Sequence, residues 1–206
     1  QSVLDICAAP GGKTAQLISQ GAKVTAGEKS AHRLDRLMAN LKRLGMSADC
    51  IQADILDWHT EKKFGHVLLD APCSSTGTAR RHPDVLWTKT PEDVAALSAL
   101  QETLLRRAAG FVKPGGLLVF ANCSIDRSEG EDLYAKIANS LEGFTADPVT
   151  PEELHGRSEF ITRQGTVRTL PSHSTPLANG TQPPDPRLSG IDSFFAARFR
   201  RSESKS

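Results

Sequence analysis

The sequence predicts an α/β fold: a mostly parallel sheet with helices on both faces. Three features carry that expectation. Apolar runs of strand length alternate with stretches of helical period, a glycine-rich turn joins the first strand to the first helix, and two cysteines each follow an apolar run. At 206 residues the chain fits one domain with a sizeable core.

The first strand spans residues 3–6 and enters the turn Cys7-Ala8-Ala9-Pro10-Gly11-Gly12-Lys13, after which residues 14–19 read as helix. Residues 24–27 form a second apolar run. Residues 31–44 follow, with Leu34, Leu37, Met38, Leu41 and Leu44 at helical spacing and Gly45 placed to end the helix. Shorter apolar runs at 50–53 and 67–69 read as further strands. Pro91 suits the first turn of a long amphipathic helix that reaches about Val112. Lys113-Pro114-Gly115-Gly116 reads as a turn into a strand at 117–121, with another helix near 129–141. Beyond Pro148 the texture changes, and residues 172–186, rich in Ser, Thr, Pro, Asn and Gly, read as a long loop. The alternation at 193–199 suits a last, antiparallel strand, and the polar tail from Arg201 is expected to fray. There is no internal repeat.

Composition narrows the partners. A hydrophobic content of 38% and a charged content of 24% are ordinary for a soluble globular protein. A net charge of +1 gives no overall signature of a nucleic-acid binder. The local basic groups Arg80-Arg81, Arg106-Arg107 and Arg198/Arg200/Arg201 read first as solvated surface. Cys7, Cys50, Cys73 and Cys123 include no CxxC pair, so neither a metal site nor a disulfide framework is expected. No apolar stretch approaches the roughly 18–20 residues of a membrane span, and no basic-then-apolar signal segment reads within these residues. A reduced, cytoplasmic, monomeric protein is expected. Because Gln1-Ser2-Val3-Leu4-Asp5 already reads as core strand, the chain is expected to be a fragment of something longer.

The glycine turn admits three readings. Gly12-Lys13-Thr14 nearly completes a phosphate-binding GxxxxGK[ST] loop, but Cys7 stands where its first glycine belongs. The dinucleotide fingerprint GxGxxG is absent. A turn for S-adenosylmethionine (SAM) on a Rossmann-like sheet tolerates varied glycine patterns and fits. Glu28 ends the second strand, where doubly wound folds place an acid on cofactor ribose hydroxyls. Asp54 ends the third, within reach of an adenine amino group. Each acid alone reads equally as a solvated strand-end carboxylate; with the turn they favour a nucleoside cofactor.

Four ordered motifs now stand together: Cys7-Ala8-Ala9-Pro10-Gly11-Gly12-Lys13, Asp70-Ala71-Pro72-Cys73-Ser74, Arg80-Arg81-His82-Pro83-Asp84 and Asn122-Cys123-Ser124. With them the chain resembles the RNA cytosine-5 methyltransferases, most closely the RsmB (Sun/Fmu) type that acts on small-subunit ribosomal RNA. The likeness runs from Val3 to about Phe199. It implies a Rossmann-like class I SAM-dependent methyltransferase domain over residues 1–200, with a seven-stranded, mostly parallel sheet, and a flexible tail at 201–206. By the same resemblance SAM is the cofactor, held or bordered by Cys7, Ala8, Ala9, Pro10, Gly11, Gly12, Lys13, Glu28, Asp54 and Asp70. RNA is the implied partner, ribosomal RNA first and transfer RNA as the alternative. Glu28 stands where family members often carry Asp, and Asn122 where Thr is common. RsmB-type proteins also carry an N-terminal NusB-like RNA-binding domain that is not among these 206 residues.

The chemistry explains the thiols. Carbon 5 of cytosine is a poor nucleophile until a thiolate adds to carbon 6, and covalent catalysis of this kind divides one difficult step into easier ones. A neighbouring positive charge, such as Lys13 or a sulfonium, favours the thiolate. By resemblance Cys123 attacks and Cys73 assists resolution and product release; the adduct also needs polarisation at the cytosine Watson–Crick edge, for which Asp70 is the natural candidate. The competing reading makes both buried structural cysteines, which is the expectation kept for Cys7 and Cys50. Arg80, Arg81 and His82 are placed either to grip phosphates beside an unstacked target base or to order their loop by pairing with Asp84 or neighbours. Lys13 divides between cofactor carboxylate, target nucleotide and Asp70. Two further functions remain open: a class I methyltransferase with another acceptor, and a non-catalytic RNA-binding module.

Overall fold

In the computed structural model, residues 1–173 and 190–203 are described. Strands β1 (Ser2–Ile6), β2 (Lys23–Glu28), β3 (Asp49–Gln52), β4 (Phe64–Asp70) and β5 (Val112–Asn122) are parallel neighbours, and β8 (Phe194–Arg201) runs antiparallel to β5. The order across the sheet is β3-β2-β1-β4-β5-β8-β6. The short strands β6 (Phe144–Ala146) and β7 (Val167–Thr169) both pair with β8, β6 along Phe199–Arg201 and β7 along Phe194–Ala196. Since β5 occupies the other edge of β8, the two share one lane. Among the described residues the seven expected strands are thus eight strands in seven lanes. The sequence located six of them; β6 and β7 went unread because three residues carry no periodicity, and an edge strand's open N–H and C=O groups are what recruit them.

Helices cover both faces, as expected. On one side α1 (Gly12–Ser19) and α2 (Ala31–Arg43) pack Ala8, Ala9, Val24, Ala26, Leu37 and Leu41 into one cluster. On the other, α4 (Pro91–Ala109) and α5 (Glu131–Ala138) bury Leu104, Leu105, Leu133 and Ile137 against Leu4, Leu69, Leu118 and Phe120. The short α3 (Val85–Thr88) lies between β4 and α4 in the chain. Ser30 caps α2 through its hydroxyl, and Met46 N donates to the Leu41 carbonyl where Gly45 ends it. A reciprocal Thr90–Asp93 capping box, with Pro91 at the first turn, starts α4.

Several expected boundaries move. α4 stops at Ala109, because Phe111 already gives its carbonyl to Phe64 N (2.8 Å) at the start of strand pairing. Residues 113–116 are not a turn but part of β5, where the register against β4 jumps between Phe64 and His66. There Gly116 passes the Gly65 carbonyl so closely that a Cβ would sit 2.3 Å from it. β3 ends at Gln52, two residues before Asp54. The helix expected from 129 starts at Glu131, after a 3-10 turn over Arg127–Glu129, and ends at Ala138. Arg201 does not fray: it pairs with Phe144 and donates to the Val112 carbonyl. Of the expected 172–186 loop, 174–186 lie outside the described residues, as do 204–206 of the tail. Among the described residues no helix is long and apolar enough to cross a membrane.

Candidate active site

Parallel register brings the ends of β1, β2, β4 and β5 to one edge of the sheet, since Ile6 pairs with Gly27 and Leu69, and Asp70 with Ala121. In open α/β sheets this carboxyl edge is where ligands bind. A cleft of about 500 Å³ opens there, lined by Cys7, Gly27, Glu28, Asp54, Pro72 and Leu104 among others.

Glu28 is almost fully buried in that cleft wall. Its Oε1 accepts from Ser30 N (3.1 Å), while Oε2 has no hydrogen bond among the described residues and only Arg33 at 3.6 Å. A buried carboxylate oxygen left without a donor calls for one from a ligand, and ribose hydroxyls supply it. Asp54 accepts from Lys29 Nζ (2.7 Å) and Leu56 N (3.1 Å), and these bonds hold it below the usual carboxylate range, the Lys29 bond first. Burial, with Glu28 adding to it, pushes the Cys7 thiol up to about 12, so Cys7 stays protonated and lines the cleft as a neutral group.

The rest of the turn is held from α2. Ala8 and Ala9 are buried toward α2, and Arg33 and Asn40 donate to the carbonyls of Ala9 (2.9 Å) and Pro10 (2.9 Å). Gly11 is left-handed, and Gly12 opens α1 with free space where a Cβ would be. None of residues 8–13 is among those lining the cleft. Of the three readings of Lys13, the contact with Asp70 is formed: Nζ donates to Asp70 Oδ2 at 2.7 Å and stands 5.0 Å from the Phe194 ring centre.

The two motif cysteines meet. Cys73 Sγ and Cys123 Sγ are 3.5 Å apart although 50 residues separate them in the chain. Ser75, in the left-handed region at φ 59°, puts its hydroxyl 3.6 Å from Cys123 Sγ and 3.9 Å from Cys73 Sγ. The Cys73 S–H hydrogen bond holds the Cys123 thiol below its ordinary range against the cost of burial; Ser75 and Lys13 lower it further, and Asp70 opposes. The same contact pushes Cys73 up. The direction is toward a thiolate at Cys123 with the Cys73 thiol beside it.

The basic loop folds on a partner the sequence did not indicate. Arg80 and Arg81 both pair with Asp192, Arg81 Nε at 2.6 Å and Arg80 Nη2 at 3.4 Å, and Asp84 forms no ion pair with either. His82 is exposed. Arg198 and Arg200 pair with Asp147, and Arg198 also with Glu153. Sequence reasoning missed Glu129, Gln101 and Arg168, which are buried behind the thiols. Glu129 stands close enough to the second cysteine motif to have been flagged; Arg168, alone on a three-residue strand, gave no signal. Among the described residues no cluster of His, Cys, Asp and Glu is placed to hold a metal ion.

Sheet order, the cleft at the carboxyl edge and the helices on both faces define the class: a Rossmann-like class I methyltransferase fold, here carrying two thiols at its strand ends. The family described as 16S rRNA methyltransferase RsmB/F matches residues 1–200, and the chain belongs to it. Over 159 residues it is 40% identical to the ribosomal RNA small subunit methyltransferase B of Salmonella typhi, covering 74% of this chain and 37% of that protein. The Klebsiella pneumoniae protein of the same name is 45% identical over 140 residues, 66% of this chain and 32% of its own. The chain thus spans about a third of the length of these relatives. The crystal structure of PH0851 superposes with a TM-score of 0.80 at 29% identity, covering 98% of this chain and 42% of that one. NSun6 from Pyrococcus horikoshii, solved with SFG, gives 0.73 at 25%, covering 98% and 48%.

Proposed function

We propose that this chain is the catalytic domain of an enzyme that methylates carbon 5 of a cytidine in RNA, small-subunit ribosomal RNA first, in the cytoplasm. The observation that carries the reading is the 3.5 Å approach of Cys73 and Cys123 at the strand edge that also holds the Glu28 cleft. Membership of a family described as 16S rRNA methyltransferase supports ribosomal RNA as the acceptor.

The orphaned Oε2 of Glu28 fits a ribose of S-adenosylmethionine, with Asp54 and Cys7 bordering the same cleft. Bound there, the cofactor supplies an electrophilic methyl group. Cys123, held as thiolate, adds to carbon 6 of the target cytosine, which makes carbon 5 enamine-like and able to accept that methyl. The adduct needs polarisation at the Watson–Crick edge, the role assigned to Asp70 with Lys13 beside it. A water molecule acting as base takes the carbon 5 proton, and the electron pair left behind expels the Cys123 sulfur as the thiolate it began as, restoring the aromatic base. Cys73 assists that departure by donating its S–H hydrogen bond to the leaving sulfur while keeping its proton.

The test is adduct trapping with tritiated S-adenosylmethionine and 5-fluorocytidine-substituted ribosomal RNA, read on denaturing gels. A labelled complex is expected from the wild type and from Cys73→Ala, and none from Cys123→Ala. Trapping by Cys123→Ala but not by Cys73→Ala reverses the roles. If no variant traps RNA while the cofactor still binds, the acceptor is something other than cytosine carbon 5.

A further inference from the structure

Both thiols sit on loops, and loops are mobile unless something ties them down. Behind the pair lies a buried polar group of four residues that does not line the cleft. Glu129 is fully buried, and its Oε1 accepts from Ser74 N (2.9 Å), one residue past Cys73. Gln101, also fully buried, donates from Nε2 to that same Oε1 (2.8 Å) and to the Pro72 carbonyl (2.9 Å), one residue before Cys73. The residues on either side of Cys73 therefore hang from one carboxylate–amide pair.

The second loop is held from the same segment. The Glu129 carbonyl accepts from Asn122 Nδ2 (2.7 Å), and Asn122 Oδ1 accepts from Ser124 N (3.0 Å), so both neighbours of Cys123 are engaged. Arg168 Nη1 donates to the Ser124 carbonyl (2.6 Å) and to Ser193 Oγ (3.3 Å). Its Nε and Nη2 form a two-pronged pair with Glu131 (2.9 and 2.7 Å), and the guanidinium lies 4.9 Å from the Phe195 ring centre. Gly130 makes room: a Cβ there would stand 2.2 Å from Arg168 Nη2. The hydroxyls of Ser74 and Ser124, 3.0 Å apart, join the two loops directly.

We propose that Glu129 and Arg168 are positioning residues for the thiol pair, Glu129 seating the Cys73 loop and Arg168 the Cys123 loop, so that the two sulfurs stay within proton-sharing distance. Burying a carboxylate with one oxygen, Oε2, lacking a hydrogen bond is costly, and packing alone favours an apolar side chain there. What the carboxylate supplies instead is direction, because a hydrogen bond fixes a loop amide to a few tenths of an ångström where an apolar contact does not. A sulfur–sulfur contact of 3.5 Å does not survive a shift of about 1 Å. Loosening either loop therefore returns Cys123 toward an ordinary thiol. The inference rests on the reading of these cysteines as a working pair, and its test needs no RNA.

The measurement is the pH dependence of Cys123 alkylation by iodoacetamide, read by mass spectrometry, together with S-adenosylmethionine affinity by calorimetry and melting temperature. Glu129→Leu removes the acceptor, and Glu129→Gln keeps one. Arg168→Lys keeps the charge but cannot hold Glu131 and Ser124 at once. Expected is an upward shift of the alkylation midpoint in Glu129→Leu and Arg168→Lys, toward that of Cys73→Ala, with about a tenfold slower reaction at pH 7. Glu129→Gln should stay near wild type, and cofactor affinity within about twofold in every folded variant. An unchanged midpoint in folded Glu129→Leu and Arg168→Lys overturns the proposal. So does loss of cofactor binding in step with alkylation, or failure of both variants to fold, either of which marks a plain structural brace. An unshifted wild-type Cys123, by contrast, faults the reading of the thiol pair itself.

Discussion

Single side chains decide the chemistry through their neighbours. Cys123 and Cys7 are both partly buried thiols at strand ends, yet one is held down and the other driven up. Burial drives Cys7 up, with the carboxylate of Glu28 adding to it, whereas at Cys123 the hydrogen bond from Cys73 outweighs burial. Replacing Cys73 by Ala should therefore raise the Cys123 pKa and slow its alkylation at neutral pH, measurable with the same mass-spectrometric assay. Asp5 presents the opposite cost. It is fully buried, accepts from Thr14 Oγ1 at 2.6 Å, and is pushed from 3.8 up to about 6, mainly by burial. A folded-state pKa above the unfolded one makes its contribution complete below about pH 4 and lost as pH rises through about 6. Asp5→Asn keeps the acceptor for Thr14 without the charge. It should stabilise the protein by on the order of 2–3 kcal/mol at pH 8 and by almost nothing at pH 4, compared by urea unfolding.

Elements deliver those side chains by register and by their ends. α4 depends on its capping box, where Thr90 Oγ1 accepts from Asp93 N (3.2 Å) and Asp93 Oδ2 from Thr90 N (3.0 Å). Thr90→Ala should cost about 1 kcal/mol in chemical denaturation, and less in a variant already lacking the Asp93 carboxylate, because the two bonds act as a pair. Its buried face carries Gln101 to the first cysteine loop, so helix placement and thiol placement are linked through one amide. β7 shows what three residues do once an edge recruits them: pairing with β8 aims Arg168 into the second cysteine loop.

At the scale of the whole molecule, the sheet separates two jobs. The ends of β1 and β2, with the residues that follow β3, form the cleft, and the ends of β4 and β5 carry the thiols, with Pro72 bordering the cleft beside Cys73. A ligand that binds only the folded form stabilises it. S-adenosylmethionine at about a hundred times its Kd should add about 2.7 kcal/mol, or about 5–10 °C in melting temperature for a chain of this size. Glu28→Ala should lose most of that shift while leaving the alkylation of Cys123 unchanged; an equal shift in the variant would remove Glu28 from the cofactor site.

The periodic and motif-bearing parts of this chain were legible without coordinates. Alternation of β1, α1, β2 and α2, the antiparallel last strand, and the candidates Cys73, Cys123, Glu28 and Asp70 all follow from local pattern, because side-chain period and strand-end position are properties of neighbouring residues. Contacts between residues far apart in the chain were not. That Cys73 reaches Cys123, that Arg80 and Arg81 turn to Asp192, and that Lys13 settles on Asp70 depend on which strands lie side by side. Glu129, Gln101 and Arg168 acquire their roles only where three separate segments converge behind the thiols. Local sequence determined which residues stand at the ends of the strands; the tertiary fold decided which of them touch, since a hydrogen bond needs its partners within about 3 Å, whatever their separation along the chain.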